Sequence, residues 1–173
     1  MTGDAREGAG QPRAAAGFRP GVRLAVDWGD ARIGVAACDA AGLLAYPLET
    51  VPAGKAAEGR IAELVREHGP LELILGLPRS LSGGEGPSAN KIRRHAKSLE
   101  KRIRPVQVRL LDERLTTVTA ARALSASGRT ARQQRSVIDM VAAVTILEHA
   151  LEAERSTGSP PGELLTETRG VQG

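Results

Sequence analysis

The chain has 173 residues, 41% hydrophobic and 25% charged, with a formal net charge of +4, enough for one domain with a full core. No apolar run approaches the ~18–20 residues of a membrane span, and the N-terminus lacks the apolar segment of a secretory leader, so a cytoplasmic protein without membrane contact is expected. The single cysteine, Cys38, excludes an internal disulfide and a cysteine-based zinc site; a small core residue is the expectation, an intermolecular bridge the minor reading.

Residues 1–20, rich in Gly, Ala, Arg and Pro without periodicity, predict a disordered tail, and residues 155–173 predict another. One domain is expected between them, over 21–154. Leu24-Ala-Val-Asp-Trp-Gly-Asp-Ala-Arg-Ile-Gly-Val-Ala-Ala-Cys38 reads as two apolar strands around a glycine-containing turn. Leu43 to Thr50 suits a third strand. Ile61, Leu64 and Val65 are spaced for a helix over 57–68, which Gly69-Pro70 ends. A short buried strand follows over 71–75, then a loop over 76–86. Pro87 suits the first position of a helix whose apolar stripe is Ile92, Ala96, Leu99 and Ile103. A strand over 106–111, a helix over about 117–127 and a last helix, from Thr130 or Ser136 to about Glu154, complete the domain. Strand–helix–strand units imply parallel neighbours, so the expected architecture is α/β, with a mixed, mostly five-stranded sheet and helices on both faces.

Charge is concentrated in one place. From Pro87 to Arg104 seven basic residues stand against Glu100, a net +6 where the whole chain carries +4. Such an excess points to a polyanionic partner, although a solvated helix face gives the same pattern. Phe18, Trp28 and Tyr46 are the whole aromatic set, so phosphate contacts from Lys91, Arg94, Lys97 and Lys101 are expected in preference to base stacking.

Three carboxylates stand out against that background. Asp27 lies inside an apolar strand, where a carboxylate needs a cation, a donor network or a metal; a hairpin with an Asx-type hydrogen bond is the plainer account. Asp112-Glu113 directly follows a strand, at the edge where α/β sheets form sites. Asp112 also suits a helix cap, while Arg114, Thr116 and Thr117 beside Glu113 offer donors for phosphate oxygens. Asp139 interrupts an apolar helical face; Ser136 with Asp139 alternatively reads as a capping box over a first turn. Separated carboxylates without a His or Cys cluster suit hard cations, Mg²⁺ or Mn²⁺, which retain waters for a substrate phosphate. His68, His95 and His149 read as surface residues.

With those residues in place the chain resembles the YqgF family of RNase H-like nucleases, described both as Holliday junction resolvases and as pre-16S rRNA nucleases. The likeness spans roughly 23–151. It rests on Asp27-Trp-Gly-Asp-Ala-Arg-Ile-Gly34, Gly76-Leu-Pro78 with Glu85-Gly-Pro87, Asp112-Glu-Arg-Leu-Thr-Thr117, and Val137-Ile-Asp-Met-Val-Ala-Ala143. The resemblance implies an RNase H-like fold, divalent-metal dependence, and a catalytic set on Asp27, Glu113 and Asp139, with Asp112 as the candidate for a fourth acidic residue. Arg32, Arg114, Thr116 and Thr117 join the basic helix as expected substrate contacts. Nucleic acid is the expected partner, with room for a homodimer. The expected activity is phosphodiester hydrolysis in 5′-end maturation of pre-16S rRNA, with branched-DNA resolution as the alternative. Two further readings stay open. The D-x-G turn also resembles the first phosphate loop of sugar-kinase and actin-type ATPases, which need two such lobes where this chain has residues for one. A non-catalytic nucleic-acid-binding module is the other.

Overall fold

A computed structural model of the chain describes residues 17–80, 82–113 and 131–166, the side chains of 131–136 excepted. Six strands form one sheet: β1 (Leu24–Trp28), β2 (Arg32–Cys38), β3 (Ala45–Pro52), β4 (Glu72–Leu77), β5 (Gln107–Asp112) and β6 (Glu163–Leu164), in the order β3-β2-β1-β4-β5-β6. β1, β4 and β5 run parallel, and β2, β3 and β6 pair antiparallel. The helices are α1 (Ala57–His68), α2 (Pro87–Ile103) and α3 (Ala131–Thr157).

Alternation along the strands decides which helices cover which face. Leu24, Val26, Leu73 and Leu75 pack in one cluster with Ile61 and Val65 of α1 and Ile92, Ala96 and Leu99 of α2. Ala25, Ala36 and Ile74 point the other way, against Ala143, Ile146, Leu147, Ala150 and Leu151 of α3. The sheet is therefore covered on both faces, as the strand–helix–strand order requires. Pro87 occupies the first turn of α2, and Gly69, in the left-handed region at φ 54°, closes α1 by donating to the Val65 carbonyl.

Several boundaries differ from the sequence expectation. β3 and β4 each extend two residues further, so Gly76 and Leu77 belong to the strand and not to the loop after it. β6 adds a sixth strand where a tail was expected. Its two residues pair with Arg109 and Leu110, and Arg93 binds Glu163. A two-residue strand has no periodicity to read. α3 runs to Thr157, beyond Glu154, and begins at Ala131, next to the earlier of the two expected starts, so Ser136 lies inside the helix. At the other end Phe18 packs against the α3 cluster and Arg19 binds two glutamates, so residues 17–20 are part of the packed structure. The helix expected over 117–127 lies outside the described residues.

The stripe of α3 does not stop with apolar residues. Glu154 continues it one turn past Leu151 and is fully buried. Arg23 Nη2 and Arg19 Nε each donate to it at 2.6 Å. Glu72, also fully buried, accepts from Arg19 at 3.0 Å and from Arg109 at 2.6 Å. Burial pushes the Glu154 carboxyl up, but the bonds from Arg19 and Arg23 outweigh it and hold the group below the usual range. Cys38 is buried beside this network, its sulfur accepting from the Arg23 amide at 3.2 Å. That burial removes the intermolecular-bridge reading. Truncating one partner of a buried pair strands the other charge in the core. Glu154→Ala should therefore destabilise the fold by about 3–5 kcal/mol in urea unfolding. Arg60→Ala, which breaks a surface pair with Glu49, should shift the midpoint far less.

Candidate functional site

The parallel register of β1, β4 and β5 brings three positions into line at their carboxyl ends. Val26 pairs with Leu75, so Asp27 reaches the edge beside Gly76; Leu77 pairs with Asp112, and Glu113 follows. The Glu113 amide donates to the Leu77 carbonyl at 3.1 Å, which carries the β4–β5 pairing one residue past the strand end. Asp27 follows the parity of Ala25 and so lies on the α3 face of the sheet.

Two glycines make room for this arrangement. A methyl group built on Gly76 would overlap the Glu113 carboxylate. One on Gly34, the residue paired with Asp27, would overlap the backbone carbonyl of Asp139. The first glycine lets Glu113 fold over β4 toward Asp27, and the second lets α3 lie directly on β2.

Asp27 and Glu113 hydrogen-bond to each other. Burial pushes the Glu113 carboxyl up to about 8, reinforced by the Asp27 charge, the bond to Asp27 and the Asp112 charge. Burial also raises Asp27, while the bond from Glu113 opposes the rise. At neutral pH the pair therefore shares one proton, with Glu113 the more strongly raised partner. Asp139 is raised by partial burial and by the Asp27 charge, and lowered by Arg32, whose Nε lies 3.7 Å from its carboxylate. α3 begins eight residues earlier, so Asp139 lies beyond the first turn and the capping account of it fails.

The structure thus joins Asp27 to Glu113, sets Asp139 and Arg32 within electrostatic reach, and puts Asp112 close enough to act on Glu113. Arg114, Thr116 and Thr117 lie outside the described residues. Among the described residues no three acidic, His or Cys side chains stand close enough to hold one ion as they are. The donor set nonetheless fits a hard divalent cation, which takes one or two protein carboxylates and fills its remaining positions with water and substrate phosphate. Two buried carboxylates that can ionise together only against their mutual repulsion are what such a cation relieves.

α2 divides its basic residues. Arg93 is bound by Glu85 and Glu163, Arg102 lies by Glu58, and Arg104 binds Glu100. Lys91 meets Asp30 at 3.0 Å, near the carboxylates. Arg94, Lys97 and Lys101 share an exposed i, i+3, i+7 stripe with no ion pair among the described residues. His95 is not a free surface residue. It is half-buried, stacked on Trp28 with centroids 4.0 Å apart, and bonded to Glu58 at 2.9 Å. The sequence reading named Trp28, Gly76 and His95 without their roles in the site, and the usable signal was the position of the sole tryptophan directly after Asp27.

A family model described as RuvX, Holliday junction resolvase, matches residues 21–153. The chain belongs to that family. This is the relationship expected from the YqgF motifs. A Streptomyces coelicolor protein named "Putative pre-16S rRNA nuclease" is 60% identical over 148 residues, covering 84% of this chain and 89% of its own. A Nocardioides protein of the same name is 54% identical, covering 87% of this chain and 100% of its own. Among solved structures, Thermus thermophilus RuvC in complex with a Holliday junction substrate superposes with a TM-score of 0.50 at 16% identity, covering 83% of this chain and 99% of that one. That likeness establishes the RNase H-like fold.

The raised Glu113 carboxyl has a consequence for stability. Its proton is bound more tightly in the folded chain than at the ordinary value of 4.5. The proton therefore stabilises the fold fully below pH 4.5, and that contribution is lost as pH rises toward about 8. Metal-free protein should show a falling Tm across this window. Millimolar Mg²⁺ should flatten the fall, and Glu113→Gln should abolish it. A flat metal-free profile in the wild type would contradict the proton-sharing pair. Gly76→Ala should leave Tm nearly intact, because only a side chain must move, and should weaken Mg²⁺ stabilisation. Gly34→Ala, which collides with helix backbone, should cost about 1–3 kcal/mol.

Proposed function

We propose that the chain is a divalent-metal-dependent nuclease that hydrolyses a phosphodiester bond of the 16S rRNA precursor in the cytoplasm. The observation that carries this reading is the Asp27–Glu113 pair, buried at the carboxyl edge of three parallel strands with Asp139 in reach, in a chain 60% identical to the Streptomyces coelicolor protein. Asp27 and Glu113 would hold the cation, Mg²⁺ or Mn²⁺, and Asp139 would complete the set. When bound, the cation supplies charge for the attacked phosphate and lowers the pKa of water. Glu113 would have to be ionised to serve as a ligand. Asp27 and Asp139 orient the attacking water by accepting from it, while Arg32 balances Asp139 and offers donors to a phosphate oxygen. Arg114, Thr116 and Thr117 extend the phosphate contacts beyond Glu113. Arg94, Lys97 and Lys101 hold more distant phosphates without reading bases.

A second reading, resolution of branched DNA, is favoured by the description of the family model. One assay separates the readings: labelled precursor rRNA, a four-way junction and ATP are each incubated with Mg²⁺, Mn²⁺ or chelator. Metal-dependent cleavage of the precursor alone is expected. Cleavage of the junction alone transfers the proposal to DNA, and turnover of neither nucleic acid removes the nuclease.

Asp27→Asn should abolish cleavage while leaving the metal-free protein folded and slightly more stable, because one repelling charge is gone. Asp139→Asn and Asp139→Glu should both reduce cleavage at constant fold, with partial rescue of the first by excess Mn²⁺. Full activity in both would leave the site without its third carboxylate. Replacing Arg94, Lys97 and Lys101 together by Ala should reduce the slope of log K against log salt by roughly 0.7–0.9 for each phosphate no longer held. An unchanged slope would make that stripe a solvated face.

A further inference from the structure

The carboxylate edge continues into a trough on the other side of the sheet. Two adjoining cavities, of about 210 and 590 Å³, have Trp28, Asp30 and Lys91 in common. The smaller reaches Glu113, and the larger reaches Lys55 and His95. Trp28 follows the parity of Leu24 and Val26, so its indole projects to the α2 face and not with Asp27 toward α3. There it stacks on His95 at an interplanar angle of 17°. Glu58 braces the imidazole and is itself held by Ser98 and Arg102. Lys91 is tethered to the fully exposed Asp30, an ion pair of a kind that contributes little and opens easily. Lys55 is exposed on the rim of the larger cavity, with no ion pair among the described residues.

We propose that this trough takes an unpaired nucleotide flanking the cleaved phosphate, its base against the Trp28–His95 stack and its phosphates on Lys91 and Lys55. The proposal rests on the nuclease reading. An aromatic stack accepts any base through its π-face, and ammonium groups hold phosphates without reading sequence. Lysines at two points along one trough suit a strand better than a single small anion. Asp30 opposes the strand in two ways, by its own charge and by occupying Lys91.

Trp28 is the only tryptophan, so its fluorescence reports the trough directly. The full chain is titrated with a short single-stranded RNA in EDTA, where nothing is cleaved, and binding is followed in parallel by anisotropy. Saturable quenching of Trp28 is expected. An abasic nucleotide at one position should remove the quench and weaken binding roughly tenfold. Lys55→Ala should lower the salt slope by about 0.7, and Asp30→Asn should tighten binding, which mere damage to the fold does not do. RNA that fails to bind, or that binds with Trp28 emission unmoved, overturns the proposal, as do wild-type affinities in both the Lys55 and Asp30 variants. Cleavage in Mg²⁺ with a silent Trp28 removes the trough and keeps the nuclease. Quenching without cleavage removes the nuclease and keeps the trough.

Discussion

Holding two carboxylates in contact and out of water is the constraint on which the rest of this structure depends. A sheet resists it twice, through the electrostatic cost of a second buried charge and through the space that side chains on neighbouring strands occupy. Gly76 removes the steric obstacle by leaving room for the Glu113 side chain over β4. The electrostatic obstacle is met by a proton, which Glu113 keeps up to about pH 8. A divalent cation can take the place of that proton. The raised carboxyls of Asp27, Glu113 and Asp139 record that burial and crowding.

The opposite end of the sheet shows the contrasting solution. Glu72 and Glu154 are also buried carboxylates, but Arg19, Arg23 and Arg109 meet them with direct bonds. This network ties the segment before β1 to β4, β5 and the end of α3. Each buried carboxylate at that end is met by two arginines. Like charges crowd at one edge, where Asp27, Asp112, Glu113 and Asp139 act on one another, while the far edge supports the helix that carries Asp139. A fold that tolerates an unfavourable pair at its carboxyl edge needs such support elsewhere.

Much of this is legible in the chain itself. The turn between β1 and β2 is spelled by alternating apolar residues around Asp27 and Gly29, and the helical stripes of α1 and α2 by the spacing of Ile61, Leu64, Val65, Ile92, Ala96 and Leu99. Asp27, Glu113 and Asp139 stand out because each carboxylate interrupts an apolar pattern or ends a strand. What the sequence conceals depends on distance along the chain. Glu154 looks like an ordinary surface residue at a helix end until Arg19 and Arg23, more than 130 positions away, are seen to close on it. His95 looks solvated because its partners, Trp28 and Glu58, come from two other elements. The capping account of Asp139 fails because, of the two helix starts the sequence offered, α3 takes the earlier, at Ala131 beside Thr130 and not at Ser136. β6 is too short to leave a pattern.

Strand periodicity explains how one short segment serves two purposes. Successive residues of a strand face opposite sides, so adjacent positions at its end reach around opposite sides of the sheet edge. In β1 these positions are Asp27 and Trp28. The first joins Glu113 and faces Asp139, and the second lies under α2 between Lys91 and His95. A strand lying across this edge touches acid chemistry on one side and an aromatic and basic surface on the other, within two residues of backbone. Neither property can be moved without the other, because the register that sets Asp27 opposite Gly34 also sets Trp28 opposite Ile33. A one-residue slip of β1 would put the indole against α3 and the carboxylate into the larger apolar cluster. The near absence of aromatic residues elsewhere therefore does not argue against contact with a base; the one indole that matters is fixed to the carboxylate by a peptide bond.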